Sequence, residues 1–186
     1  MRVMVIAATA ALVGCATADD PSAEWAFLDD SDHLEREPPI YGGCGDMFLY
    51  AKSPTDRMGM TISTYGLERP LLEEARALGG SLERTYELPA DGIDIVLQRG
   101  SNLSRYWCND AIYPPLPVVR REAFPVGGTL TLEVSSDPDI TSSWYTPGTA
   151  TAILRDVVWA SESGFLVDSL PADVELYDVF VGWLAG

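Results

Sequence analysis

Residues 127–134 read Gly-Gly-Thr-Leu-Thr-Leu-Glu-Val, a strict alternation of apolar and polar side chains behind a glycine pair. Successive side chains of a strand point to opposite faces, so Leu130, Leu132 and Val134 are expected to face a core and Thr129, Thr131 and Glu133 to face water. This is the pattern of a half-buried antiparallel strand. Outward from it the same period recurs. Residues 60–65 set Met60, Ile62 and Thr64 against Thr61, Ser63 and Tyr65; residues 93–99 set Ile93, Ile95 and Leu97 against Asp94, Val96 and Gln98. Residues 82–88, 149–159 and 174–183 read likewise as strands, the second with a slip near Asp156 that predicts a bulge. Residues 47–52 are apolar on both faces and suggest a central strand. Turn punctuation separates these runs: Asp91-Gly92, Gly100-Ser101-Asn102, Asp137-Pro138-Asp139 and Thr146-Pro147-Gly148. Only residues 70–78 shift to helical spacing, with Leu71, Ala75 and Leu78 on one face, Pro70 in the first turn and Gly79 at the stop. About eight short strands and one short helix predict an all-β domain. The expected architecture is an antiparallel β-sandwich with Ig-like or jelly-roll connections, with a β-barrel as the alternative.

The chain opens in another register altogether. Met1-Arg2 precedes residues 3–12, which are aliphatic, Ala or Met apart from Thr9, and Leu12-Val13-Gly14-Cys15 closes the run. Ten or so apolar residues are too few to cross the roughly 30 Å hydrocarbon core as a helix. They fit the apolar region of a signal peptide. The four closing residues resemble the lipobox of bacterial lipoproteins, in which a diacylglyceryl group joins the Cys thiol and the peptide is cut just before it. That resemblance implies a signal peptide over residues 1–14, lipidation at Cys15, and membrane attachment through two or three acyl chains. Ala16, rather than Asp, follows the Cys, which in Gram-negative lipoproteins is similar to sequences sent to the outer membrane. The alternatives are a secretory signal cut after Ala16 or Ala18, a retained anchor, and an apolar first strand.

Residues 15–39 read as a lipidated Cys and an acidic tether. Asp19, Asp20, Glu24, Asp29, Asp30, Asp32, Glu35 and Glu37 stand against Arg36, a density that keeps a chain extended. Trp25, Phe27 and Leu28 interrupt it and either pin the tether to the domain or dock another protein. Pro38-Pro39 marks a stiff boundary, and the folded domain is expected over residues 40–186. Beyond the lipobox the chain looks like uncharacterised envelope lipoproteins of high-GC Gram-negative bacteria, which combine a Cys anchor, an acidic spacer and a Cys-bridged β-domain. That likeness implies no activity.

The 186 residues carry a net charge of −16, and those from Cys15 onward sum to −17 because Arg2 is the leader's one charge. Such a balance argues against nucleic acid, whose phosphates need a basic face. It argues equally against polybasic attachment to anionic lipid. With Cys15 assigned to the anchor, Cys44 and Cys108 remain as a pair in a compartment where disulfides persist. A bridge between them closes a loop of about 65 residues and contributes at most about 4 kcal/mol in the chain-entropy picture. Two free buried thiols are the alternative; a metal pair lacks further ligands nearby.

Chemistry is sparsely signalled. His33, the one histidine, lies in the tether, which disfavours a nucleophile–histidine arrangement in the domain. Gly42-Gly43-Cys44-Gly45 precedes a strand without the Lys-Ser/Thr or helix of a phosphate loop. Carboxylates alone serve glycoside hydrolysis only at a defined separation in space, which a sequence does not carry. Cys44-Gly45-Asp46 and Cys108-Asn109-Asp110 each set an Asp two residues after a Cys, so a bridge would bring Asp46 and Asp110, with Asn109, within reach of one Ca²⁺. Asp137 and Asp139 form a second candidate calcium loop; in both cases a polar turn is the competing reading. Tyr41, Trp107, Tyr113, Trp144 and Tyr145 fall in Gly/Pro/Asn-rich connections. Trp107, Tyr113, Trp144 and Tyr145, together with Asn109 and Asp110, are the candidate binding residues, a platform for polysaccharide or an envelope protein. The competing reading packs Trp107 over the disulfide and lids the core with Trp144 and Tyr145. The functional expectation is a membrane-anchored, non-enzymatic envelope module, with a carboxylate-dependent glycoside hydrolase or a purely structural envelope protein as alternatives.

Overall fold

The computed structural model describes residues 39–45, 47–109, 111, 113–137, 139 and 147–182. Cys15 with the tether, Asp46, Asp110, Trp144 and Tyr145 lie outside them. The elements run β1 (Ile40–Cys44), β2 (Phe48–Lys52), β3 (Met58–Ser63), α1 (Leu71–Ala77), β4 (Ser81–Glu87) and β5 (Asp94–Ser101), then β6 (Val118–Ser136), β7 (Gly148–Ser161) and β8 (Val174–Val181). A 3-10 turn, Leu103–Tyr106, follows β5. Each alternating run of the sequence is a strand. Leu130, Leu132 and Val134 are buried as their spacing requires, and so are Met60 and Ile62 on β3 and Thr64 just beyond its end. Two strand segments carried no alternation to betray them. One is β1, whose Ile40 and Tyr41 are exposed and whose centre is a glycine pair; the other is the start of β6, where Val118, Val119 and Arg120 are all exposed.

The eight strands are antiparallel throughout and belong to one sheet, ordered β1-β2-β3-β5-β6-β7-β8 with β4 added on β6. The expected two stacked sheets give way to a single curled one. Its long axis is β6, 19 residues, whose first part pairs with β5 and whose second part pairs with β4. β7 runs along the other edge of β6, with the expected bulge: Gly127 faces Val158 and Thr129 faces Arg155, leaving Asp156, at φ 52°, and Val157 opposite Gly128. The alternative barrel reading fits this sheet, which nearly closes. Seven neighbours in an antiparallel series put the first and last strands parallel, and β1 and β8 meet in that sense. Gly43 lies against Val179 and Phe180, and the Gly182 N–H donates to the Gly45 carbonyl at 2.6 Å. A Cβ on Gly43 would stand 2.9 Å from Val179 Cγ1 and 3.0 Å from the Phe180 oxygen, so only glycine allows this approach. No ladder joins the described residues of β1 and β8, and the contact is a seam.

The interior is apolar. Leu49, Ile62, Leu130, Leu132, Leu154, Leu176 and Trp159 are buried within it, and the Trp159 indole N–H donates to the Pro171 carbonyl at 2.8 Å. Burial of each such side chain contributes about 1.5–3 kcal/mol. α1 packs on β6 and β4 through Leu71, Leu72 and Ala75. Leu72 therefore takes the place expected for Leu78, which caps the helix and is exposed. Glu73 and Glu74 in the first turn and Arg76 in the last suit the helix dipole, and the Gly80 N–H closes the end on the Ala75 carbonyl. Among the described residues no helix is long and apolar enough to cross a membrane.

Candidate functional site

Beyond β5 the chain crosses the outer face of β3, β2 and β1 as a strap. Its start is held by polar contacts. The Ser104 N–H and hydroxyl both donate to the Asp56 carboxylate at 3.0 Å, and Lys52 Nζ donates to Ser104 Oγ at 2.7 Å. The Tyr106 hydroxyl donates to Gln98 Oε1 at 2.9 Å, and Gln98 in turn donates to Glu122 at 2.7 Å, so buried Gln98 is satisfied at both ends of its amide. The strap's middle is Trp107, 4% exposed, 5.3 Å from the Tyr50 ring and lying over Gly59. A Cβ at Gly59 would sit 2.2 Å from the indole Cη2, so the sheet is flat there to admit the ring. Its far end is the expected Cys44–Cys108 disulfide, with Cα atoms 5.6 Å apart.

This geometry sorts the expected site residues. Trp107 offers no open face to a ligand; it is a buried anchor, because covering an indole removes more apolar surface from water than leaving it beside a loop. Asn109 is exposed and its amide donates to the Arg105 carbonyl at 3.1 Å, a turn role. Tyr113 is 70% exposed. The Asp139 N–H donates to Asp137 Oδ1 at 2.9 Å, which is the polar-turn reading of that pair. The Asp46 and Asp110 calcium pair, Trp144 and Tyr145 fall on residues outside the described ones. Among the described residues no three His, Cys, Asp or Glu side chains gather as a metal site.

A different constellation forms at the seam. Tyr41 on β1 and Tyr177 on β8, both exposed, flank Arg155, Asp173 and Glu175 around a shallow, open cleft of about 530 Å³. Glu175 and Tyr177, two apart, share the outward face of β8, and Arg155 projects beside them from β7. Arg155 pairs with one oxygen of Glu175 and the Tyr177 hydroxyl donates to the other. Asp173 accepts from the backbone N–H of Asp156, so the β7 bulge helps position it. The charges follow this wiring. The Tyr177 hydroxyl, then Arg155, hold the Glu175 carboxyl below its ordinary pKa. The bond to Glu175 raises Tyr177, as it raises Arg155. The result is an ordered, ionised and solvent-facing set of donors and acceptors between two phenol rings. It is fit to hold a hydroxyl-rich ligand, and Glu175 is held in its ionised form.

Of these five residues, sequence reasoning noted only Tyr41, as an aromatic in a Gly-rich connection, and none was among the candidate binding residues. The available signal was weak: Glu175 and Tyr177 alternate with Leu176, but their meeting with Arg155 and Tyr41 depends on register and on closure of the sheet. Comparison of the chain with protein-family models, curated proteins and solved structures finds no match.

Proposed function

We propose that this chain is a lipoprotein of the bacterial outer membrane, anchored through acylated Cys15, whose β-domain is a non-enzymatic module that binds polysaccharide of the cell envelope. The anchor rests on the Leu12-Val13-Gly14-Cys15 resemblance. The Cys44–Cys108 bridge agrees with an oxidising compartment. The observation that carries the binding half is the seam cleft, where exposed Tyr41 and Tyr177 flank the Arg155–Glu175 pair. Aromatic faces supply flat apolar area to a sugar ring, and the charged groups between them supply directional hydrogen bonds to its hydroxyls. A glycoside hydrolase at this cleft is the weaker reading, since a general acid needs a raised carboxyl pKa and Glu175 is lowered.

The test has two arms. Mass spectrometry of the natively expressed protein is expected to find an acylated Cys15 as the first residue; any other first residue, or an unmodified thiol, overturns the anchor. Purified protein is expected to co-sediment with insoluble cell-wall polysaccharide and to lose at least about tenfold in affinity with Tyr41→Ala and Tyr177→Ala together, the scale of one lost aromatic hot spot. Retained binding in that variant, or hydrolysis of the glycan, overturns the assignment of the cleft.

A further inference from the structure

The register of the sheet separates charge in a way that composition conceals. Ile40 pairs with Lys52, Lys52 with Gly59, Gly59 with Gln98, and Arg99 with Arg121, so these positions all lie at one end of the sheet. Arg57 precedes β3 at that end and accepts the Gly100 N–H on its carbonyl, and Arg105 is the neighbour of Ser104, which is tied to Asp56. Arg120 sits beside Arg121 at the start of β6. Lys52, Arg57, Arg99, Arg105, Arg120 and Arg121 are thus six of the ten basic residues among those described, gathered against only Asp56, Glu122 and Glu162 of eighteen acidic ones. Arg57, Arg105 and Arg120 are exposed. Next to them stand exposed Leu116, Val118 and Val119.

Strand β1 enters at this same end, directly after Pro39, and the tether that precedes it carries eight carboxylates against Arg36. The reach is ample. Four strand spacings separate β1 from β6, about 19 Å at roughly 4.8 Å each. An extended chain covers that in about six residues. The acidic run Asp29 to Glu37 and the apolar Trp25, Phe27 and Leu28 all fall within fifteen residues of that entry point, which is more chain than the span requires.

We propose that residues 24–37 fold back across the basic end of the sheet, their carboxylates over Arg57, Arg105 and Arg120 and their Trp25, Phe27 and Leu28 against Leu116, Val118 and Val119. The segment is then a latch on the basic end of the sheet that salt screening releases. It holds whether or not Cys15 carries lipid.

Hydrogen exchange by mass spectrometry on the full-length protein in detergent tests it. At low salt, residues 24–37 and 116–122 are expected to be protected together, and high salt to release both. Arg57→Glu with Arg120→Glu, and separately Asp29→Arg with Asp30→Arg, are each expected to speed exchange of residues 24–37 by about tenfold, the scale of a few exposed ion pairs acting together. Combining the two reversals is expected to restore protection. Exchange of residues 24–37 at the rate of a free chain in the unaltered protein, or protection that survives either reversal made alone, overturns the latch. The tether reversal lies outside the β-domain, so it decides the matter even where the arginine reversal impairs folding. Neither result bears on acylation or glycan binding, which are read separately.

Discussion

Glu175 receives a hydrogen bond on each oxygen, one from a cation and one from a phenol, and the three side chains move one another's proton affinities in the directions that preserve the contact. With the Glu175 pKa lowered, the set is intact above the ordinary carboxylate range near pH 4 and comes apart as pH falls through the lowered value. With the Tyr177 pKa raised, its donated proton is present below the phenol range near pH 10 and is lost as pH climbs through the raised value. Phenolate absorbance during alkaline titration is therefore expected to show Tyr177 ionising above the ordinary phenol range, and Glu175→Gln to bring it back. A Tyr177 curve indifferent to that change would count against the wiring. All three groups face solvent, so the set orients side chains and adds little to stability. Residue types were legible here; their partnership was not. Nothing local to residues 155 or 175 tells that Arg155 and Glu175 meet, because twenty positions of chain, a bulge and a hairpin intervene.

Among the elements, the strap shows how a loop-like stretch with no periodicity becomes a structural part. Leu103–Tyr106 is one short turn, Trp107 fills the flat place over Gly59, and Cys108 ties the end to β1. The disulfide was readable from the cysteine count together with the compartment that the lipobox resemblance implies. The burial of Trp107 was one of two readings, and packing decided between them. Replacing Cys44 and Cys108 with Ser is expected to lower stability by up to about 4 kcal/mol in urea unfolding, because the open chain regains the entropy of a loop of 64-residue separation. Tryptophan emission should shift to the red as the indole hydrates. Unchanged stability together with unchanged emission would mean that the polar contacts of Ser104, Asp56 and Lys52 hold the strap by themselves.

For the whole molecule, one sheet around one core predicts one cooperative transition. Thermal unfolding followed by far-ultraviolet dichroism and by tryptophan emission should give coincident curves. Separate transitions would mark β4 and α1, which hang on the second half of β6, as an independent unit. Sandwich and barrel share the same alternating strands. What separates them is whether β6 and β7 run unbroken from one part of the sheet to the other, and β6 does so over 19 residues.

By itself the sequence determined the strand-rich class, the inward faces, the helix that follows Pro70, the bulge at Asp156 and the cysteine pair, all of which depend on periods and counts that neighbouring residues carry. It also holds Leu12-Val13-Gly14-Cys15, whose resemblance to a lipobox is linear and is read without any folding. Only the tertiary structure decided that the strands close on themselves, that Tyr41 meets Tyr177 across a parallel seam, and that a strongly acidic chain keeps most of its domain's basic residues at one end. These are consequences of register and closure, which arise from contacts between residues far apart in the chain and leave no imprint on local spacing.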